Sequence, residues 1–173
     1  MRTFVLCVMA ALAVNTASAV KVDFSTIKTR AQAEAVLDEM RISKSDYERA
    51  MFSAVQFGHK DTIRLLLLAG EKINMRGEGS VTPLHFAAHI GKDDMVSFLL
   101  AAGADVNARP KHWQEMGPIG SSPLGMLVVF MDEESAERRT RIAKRLLDKG
   151  ADPDAPVVRA WGNKPAFEPP FSR

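Results

Sequence analysis

The 173-residue chain has a single cysteine, Cys7, close to its N-terminus. The rest of the chain therefore offers no disulfide, no thiol nucleophile and no cysteine ligand for a metal. Charge excess is also nearly absent, with 23 basic and 21 acidic residues. This balance gives no general attraction to nucleic acid or to an anionic membrane. No apolar run approaches the roughly 20 residues that a transmembrane helix needs.

The first residues have the layout of a cleavable signal peptide. Arg2 precedes an apolar segment over residues 4–14, and residues 17–19, with sequence ASA, form a small-residue cleavage site. We expect a signal peptide over residues 1–19, cleavage after Ala19 and export to the periplasm of a bacterium. The alternative is a buried N-terminal helix.

Cleavage would remove Cys7 together with one of the 23 basic residues and none of the 21 acidic ones. A lipid anchor on Cys7 is the less favoured alternative, because Leu6 stands where a lipoprotein needs a small residue. The mature chain would be long enough for one domain with a sizeable core.

A motif that recurs at a fixed spacing is the most regular feature of the chain. Residues 82–88 read TPLHFAA and residues 103–108 read GADVNA. A glycine after each helix suits a left-handed C-terminal cap. A shift of 33 residues toward the N-terminus pairs Gly103 with Gly70, Gly91 with Gly58, Ala87 with Ala54 and Asn107 with Asn74.

A third copy follows at a wider spacing. Residues 146–152 read LLDKGAD, and residues 122–124 read SPL where the second copy has TPL. A hydroxyl residue at the N-cap followed by proline fits the start of a helix. The connection before this copy and the helical pair inside it are each longer than in the second copy.

These segments resemble ankyrin repeats, helix-turn-helix units of about 33 residues that stack on their neighbours. The resemblance implies an all-α ankyrin-repeat solenoid of about three helix-turn-helix repeats with an N-terminal capping helix. We place the repeats near residues 45–77, 78–110 and 118–155, inside a repeat domain over residues 45–157. The capping helix is placed within residues 20–44.

The ends of the array depart from the family pattern, as terminal repeats often do. The first repeat lacks the Thr-Pro pair and has Arg49 there, and the third has Gly125 where the family prefers histidine. Residues 26–42 repeat apolar side chains near a helical period, and we expect this helix to cover the first repeat. Residues 45–48, with sequence SDYE, resemble a capping box that starts the next helix.

The second helices of the repeats should pack on one another, because a single helical pair cannot bury both of its faces. We therefore expect residues 63–67, 96–100 and 143–147 to lie side by side. Residues 158–173 form a proline-rich tail. Trp161 in this tail is expected to cap the last helix, with partner binding as the alternative.

Candidate chemistry is sparse. His85 and His89 are four residues apart, a spacing that can hold a metal, but no third ligand accompanies them and the resemblance implies a structural hydrogen-bonding role for His85. No nucleophile elbow or phosphate loop is present, and residues 132–134, with sequence DEE, suit a solvated helix extension. We expect no catalytic residues, no metal and no cofactor. An enzyme with His89 or His112 as its base is the alternative class.

A basic run follows in the third repeat. We expect a solvated face with acidic neighbours at helical spacing. Contact with phosphate or with an anionic membrane is the alternative. The run consists of Arg138, Arg139, Arg141, Lys144 and Arg145.

By resemblance, partners meet the tips of the projecting loops and the exposed side of the first helices. The positions so implied are Gln56, Glu78, Val81, His89, Ile90 and Arg109. The lengthened loop over residues 109–120 adds His112, Trp113 and Met116. Tryptophan is a favoured interface anchor, and the alternative is that Trp113 folds back on the stack.

The sequence therefore favours a non-enzymatic protein-binding module, monomeric and exported to the periplasm. Its expected partner is a periplasmic enzyme or a toxin that it inhibits or neutralises, as an immunity protein would. An accessory subunit that stabilises a periplasmic enzyme is the alternative. We expect neither nucleic-acid binding nor a membrane anchor.

Overall fold

A computed structural model describes residues 25–77, 80–109, 122–128 and 136–154. Its regular elements in these ranges are all helical, and they fall into two compact units that divide between Lys72 and Ile73. The α-helices are α1 (Arg30–Glu39), α2 (Tyr47–Phe57), α3 (Lys60–Leu68), α4 (Pro83–His89), α5 (Asp93–Ala101) and α6 (Ala136–Asp148). Two 3-10 turns cover Lys44–Asp46 and Gly125–Val128. The all-α prediction is thus confirmed.

In the first unit, α1 begins at a reciprocal capping box. The backbone N–H of Gln32 donates to Thr29 Oγ1 at 3.3 Å, and the N–H of Thr29 donates to Gln32 Oε1 at 3.1 Å. The helix packs against α3 and buries Ala33 and Leu37. The expected N-terminal helix is therefore present, although it is shorter than residues 26–42.

The helices α2 and α3 form the helical pair of the first repeat. Gly58 ends α2 at a φ of 81°, and the N–H of His59 donates to the carbonyl of Ala54 at 2.8 Å. This tight turn sends the chain back along α2. The two helices pack together and bury mainly aliphatic side chains, among them Ala50, Met51, Val55, Ile63, Leu65 and Leu66.

The capping box predicted over residues 45–48 is wrong. The N-cap of α2 is Asp46, whose side chain makes no cap hydrogen bond. Its carboxylate instead accepts from Ser43 Oγ at 2.6 Å and from Arg49 Nη1 at 3.1 Å. The 3-10 turn before α2 brings Ser43 within reach of that carboxylate, so Ser45 does not start the helix.

Five helices end in the same way. The second residue beyond the C-cap donates its backbone N–H to the carbonyl of a residue in the last turn. The five bonds run from Ile42 to Leu37 (2.9 Å), Glu71 to Leu66 (2.9 Å), Lys92 to Ala87 (3.0 Å), Ala104 to Leu99 (3.0 Å) and Ala151 to Leu146 (2.9 Å). The left-handed residue of this Schellman cap is a glycine in four cases and Arg41, with a φ of 58°, after α1. Helix α1 therefore ends as the repeat helices do, and it packs on α3 as the second helix of a preceding repeat would.

In the second unit, α4 and α5 form a pair and α6 packs on α5. The contact of α5 with α6 agrees with the prediction that residues 96–100 and 143–147 lie side by side. Residues 63–67 belong to the first unit. The buried side chains of the second unit include Leu84, Ala87, Ala88, Met95, Val96, Leu99, Ile142 and Leu146.

The third repeat starts as its sequence predicts. The N–H of Gly125 donates to Ser122 Oγ at 3.2 Å, and the N–H of Met126 donates to the carbonyl of Ser122 at 3.0 Å. A 3-10 turn follows and packs against α4. The side chain of Ser122 therefore caps the turn that follows it, at the position that Thr82 holds in the second repeat.

Three of the expected features fall on residues outside the described ranges. They are the signal peptide over residues 1–19, the acidic run at 132–134 and the tail over residues 158–173 with Trp161. In the ranges that are described, no helix has both the length and the apolar character that crossing a bilayer requires.

Candidate protein-binding surface

The C-terminal end of α2 exposes an aromatic side chain. Gln56, a predicted contact, is exposed on the last turn, and Phe57 beside it is 54% exposed. The ring of Phe57 lies 6.2 Å from the ring of His59, centroid to centroid, with 31° between the planes. The capped turn at Gly58 thus presents an amide and an aromatic pair to solvent.

Phe57 was not among the predicted contacts, although the sequence carried the signal for it. A shift of one repeat length relates Gln56 to His89 and Phe57 to Ile90. His89 is the last residue of α4, and Ile90 is its C-cap. Because the position of Ile90 in the repeat makes it a predicted contact, the equivalent position predicts a contact at Phe57 as well.

In the second unit, the predicted contacts Val81, His89 and Ile90 are all half-buried near the ends of α4. Burial lowers the pKa of His89 below its ordinary value of 6.5, and the nearby charge of Arg139 lowers it further. The imidazole of His89 is therefore predominantly neutral near pH 7 and able both to donate and to accept a hydrogen bond.

Arg109 is held in place at the start of the long connection. Its carbonyl accepts from Arg76 Nη1 at 2.8 Å, and its own Nη2 lies 3.5 Å from Asp152 Oδ2. Arg76 Nη1 also donates to the carbonyl of Ser80 at 3.1 Å. These bonds join neighbouring loops of the second unit and leave the side chain of Arg109 about a third exposed (35%).

The remaining predicted contacts are Glu78, His112, Trp113 and Met116, and all four lie outside the described residues. Backbone hydrogen bonds join the described residues before and after Glu78. The N–H of Gly77 donates to the carbonyl of Val81 at 3.0 Å, and the N–H of Ser80 donates to the carbonyl of Gly77 at 2.9 Å. These bonds hold Val81 just before Thr82, the N-cap of α4.

His85 has the structural role that the resemblance implied. Its side chain is fully buried, its Nδ1 lies 2.8 Å from Thr82 Oγ1, and it accepts the N–H of Thr82 at 3.2 Å. The backbone N–H of His85 in turn donates to the side chain of Thr82, which completes a reciprocal capping box at the start of α4. Within the part of the chain that the structure describes, no three His, Cys, Asp or Glu side chains are grouped so as to hold a metal ion.

The basic run finds its acidic partner on another helix. Arg145 donates to Asp93 through Nε at 2.6 Å and through Nη2 at 3.3 Å, and Arg141 Nε lies 3.9 Å from the same carboxylate. These ion pairs join α6 to α5, because the packing of the two helices brings Asp93 within reach. Their side chains stay about half exposed, as expected of a solvated face.

Comparison with known proteins agrees with the geometry. A family model for ankyrin repeats in three copies matches residues 30–110 and 51–157. A 52-residue segment is 36% identical to myotrophin of Xenopus tropicalis and covers 30% of this chain and 44% of that one. A 63-residue segment is 38% identical to the NF-kappa-B inhibitor cactus of Drosophila melanogaster, covering 36% and 13%. Protein phosphatase 1 regulatory subunit 27 of Homo sapiens is 37% identical over 59 residues, covering 34% and 38%.

Each of these matches spans less than half the length of the curated relative. The two family matches together, in contrast, extend from residue 30 to residue 157, which is well over half of this chain. Capped helical pairs, glycines one repeat length apart and the bonded loops all accord with that match. Ankyrin repeats indicate a protein–protein interaction module, and this chain belongs to the ankyrin-repeat family.

Proposed function

We propose that this protein binds one folded protein partner in the periplasm and inhibits or neutralises it. The single observation that carries the proposal is the exposed Phe57 at the capped end of α2. Aromatic side chains, including phenylalanine, are enriched in the buried cores of protein interfaces. A partly exposed phenylalanine on a helix end is therefore a candidate anchor.

The position of Phe57 favours tight binding. The left-handed cap at Gly58 and the bond from His59 to Ala54 hold the end of α2 in one conformation. Binding to an ordered surface loses less conformational entropy than binding to a loop that must first be ordered. Gln56 beside it adds an amide that can both donate and accept hydrogen bonds.

Inhibition is the role that best suits such a surface. Covering the active site of another protein requires an ordered surface and no chemistry of its own. Two of the matched relatives bear names of this kind, one an inhibitor and the other a regulatory subunit. An accessory subunit that stabilises its partner would use the same surface, and the effect on the partner's activity separates the two roles.

Capture from a periplasmic extract tests the proposal. The mature chain, residues 20–173, is immobilised beside Phe57→Ala and Leu68→Ala variants. Leu68 is a matched control because it is an exposed apolar side chain (38%) near the other end of the same helical pair. We expect Phe57→Ala to bind the captured partner at least about tenfold more weakly, since truncating an anchor typically costs about 2 kcal/mol or more.

The captured protein is then assayed with and without the native chain. Loss of its activity on binding supports inhibition, whereas unchanged activity with a raised melting temperature supports the accessory role. Equal capture by the native chain and the Phe57→Ala variant would show that α2 is not the contact. A Trp113→Ala, Met116→Ala double variant tests the long loop in the same way.

Export is proposed on the basis of residues 1–19 alone. Cell fractionation of the full-length chain, followed by N-terminal sequencing, tests it directly. We expect the periplasmic form to begin at Val20. A chain that remains in the cytoplasm with residues 1–19 attached would contradict export and leave the binding proposal to be judged separately.

A further inference from the structure

We propose that His89 on α4 and Arg139 on α6 form an acid-sensitive electrostatic pair that governs how firmly α6 and the 3-10 turn at Gly125–Val128 are held on the second repeat. Protonation of His89 adds a second positive charge near that of Arg139. The consequence is a loss of stability in mild acid. This inference concerns folding stability and does not depend on the proposed function.

Arg139 connects elements of the third repeat. Its Nη1 donates to the carbonyl of Leu127 at 2.6 Å, which ties α6 to the 3-10 turn. That turn packs on α4, the helix that ends at His89. A second contact places the first turns of α6 beside the α4–α5 corner, because Arg138 Cδ lies 3.8 Å from where a Cβ would stand on Gly91.

His89 is shielded at this junction. Its Nδ1 is buried from solvent, so a proton gained there cannot be fully hydrated. The imidazole pKa is lowered first by this burial and then by the charge of Arg139. Both effects act against the imidazolium form.

Among the described elements, those that pack most closely on α4 are α5 and the 3-10 turn. The 3-10 turn at Gly125–Val128 carries no titratable side chain, and the acidic groups of α5 are Asp93 and Asp94. The carboxylate of Asp93 is engaged by Arg145 at 2.6 Å and approached by Arg141 at 3.9 Å. Asp94, the next residue of α5, is exposed to solvent. Within the described part of the chain, Arg139 is the charged residue that lowers the pKa of His89.

The direction of the effect follows from proton linkage. The folded protein holds the His89 proton less tightly than the unfolded chain, whose histidine keeps a pKa near 6.5. As pH falls below 6.5, the unfolded chain therefore takes up more protons than the folded one, and stability falls with it. Well above that pH the residue contributes no pH dependence.

The test is a pair of thermal melts at about pH 7 and about pH 5.5, a range that brackets the ordinary histidine pKa. The native chain is compared with His89→Gln and with His59→Gln, a control at the α2–α3 corner of the first unit. We expect the melting temperature of the native chain and of the His59→Gln variant to fall between the two pH values. That of His89→Gln should fall clearly less.

NMR titration of the His89 ring protons in the native chain gives a second measurement that does not depend on the folding of any variant. We expect its midpoint below 6.5 in the native chain, a similar midpoint in Arg139→Lys, and a rise toward 6.5 in Arg139→Gln. A native midpoint at or above 6.5 would overturn the proposal. So would an unchanged acid-dependent loss of melting temperature in His89→Gln.

Discussion

The side chain of Asn107 binds the backbone of the next repeat at two points. Its Oδ1 accepts the N–H of Asp152 at 2.8 Å, and its Nδ2 donates to the carbonyl of Gly150 at 2.9 Å. Asn74, which holds the same position in the preceding repeat, accepts the N–H of Asp105 at 2.8 Å in the same manner. These asparagines link consecutive loops of the second unit, so their contribution to stability can be measured one residue at a time.

We predict that Asn107→Ala lowers the free energy of unfolding by about 1–2 kcal/mol, because two exposed hydrogen bonds of roughly 0.5–1.5 kcal/mol each are lost. Asn74→Ala removes the single bond to Asp105 and should cost about half as much. Urea unfolding of both variants measures the difference. Equal losses in the two variants would mean that the second bond of Asn107, to Gly150, contributes nothing.

We predict different outcomes for two substitutions at equivalent helix caps. Gly103 has a φ of 88° and open space where a methyl group would stand, so Gly103→Ala is penalised by the backbone alone, by about 1–2 kcal/mol. Arg41 already occupies this left-handed region at 58°. Arg41→Gly relieves that strain, and the greater freedom of glycine in the unfolded chain offsets about 0.4–1 kcal/mol of the gain.

The measurement is again denaturant unfolding, with the slope checked for constancy. Arg41→Gly should leave stability unchanged or raise it slightly, whereas Gly103→Ala should lower it. A clear loss of stability in Arg41→Gly would show that the side chain of Arg41 makes contacts that outweigh its backbone strain.

Leu99 tests the packing of the second unit. It is fully buried on α5, and α5 packs against both α4 and α6. We expect Leu99→Ala to cost about 2–5 kcal/mol, since truncating a buried leucine leaves a cavity. Leu68→Ala, at a position that is 38% exposed, should cost less than about 1 kcal/mol. Similar melting temperatures for the two variants would contradict the observed packing.

Much of the fold follows from the sequence because ankyrin repeats encode their turns in specific residues. Gly58, Gly91 and Gly103 each adopt the left-handed conformation that their place after a helix predicted. Thr82 and His85 form a capping box, which gives His85 the structural hydrogen-bonding role that the resemblance implied. Such features are local, and each depends on residues only a few positions apart.

Two features that depend on packing between helices were missed. The pairing of Arg145 with Asp93 joins residues 52 positions apart, and the sequence pattern of α6 alone does not disclose it. The likeness of α1 to a repeat helix was hidden because Arg41 stands where the other caps have glycine. The contact position of Phe57, in contrast, was predictable from the sequence, because Phe57 aligns with the predicted contact Ile90 one repeat length later.

The forward direction of the asparagine bonds also bears on how such a chain changes in length. Asn74 and Asn107 each satisfy a backbone group of the repeat that follows, and neither bond requires a partner in the repeat that precedes. A duplicated repeat placed between them would bring its own asparagine and its own donor for the one before it. Gene duplication could therefore add a repeat without leaving a broken hydrogen bond at either junction.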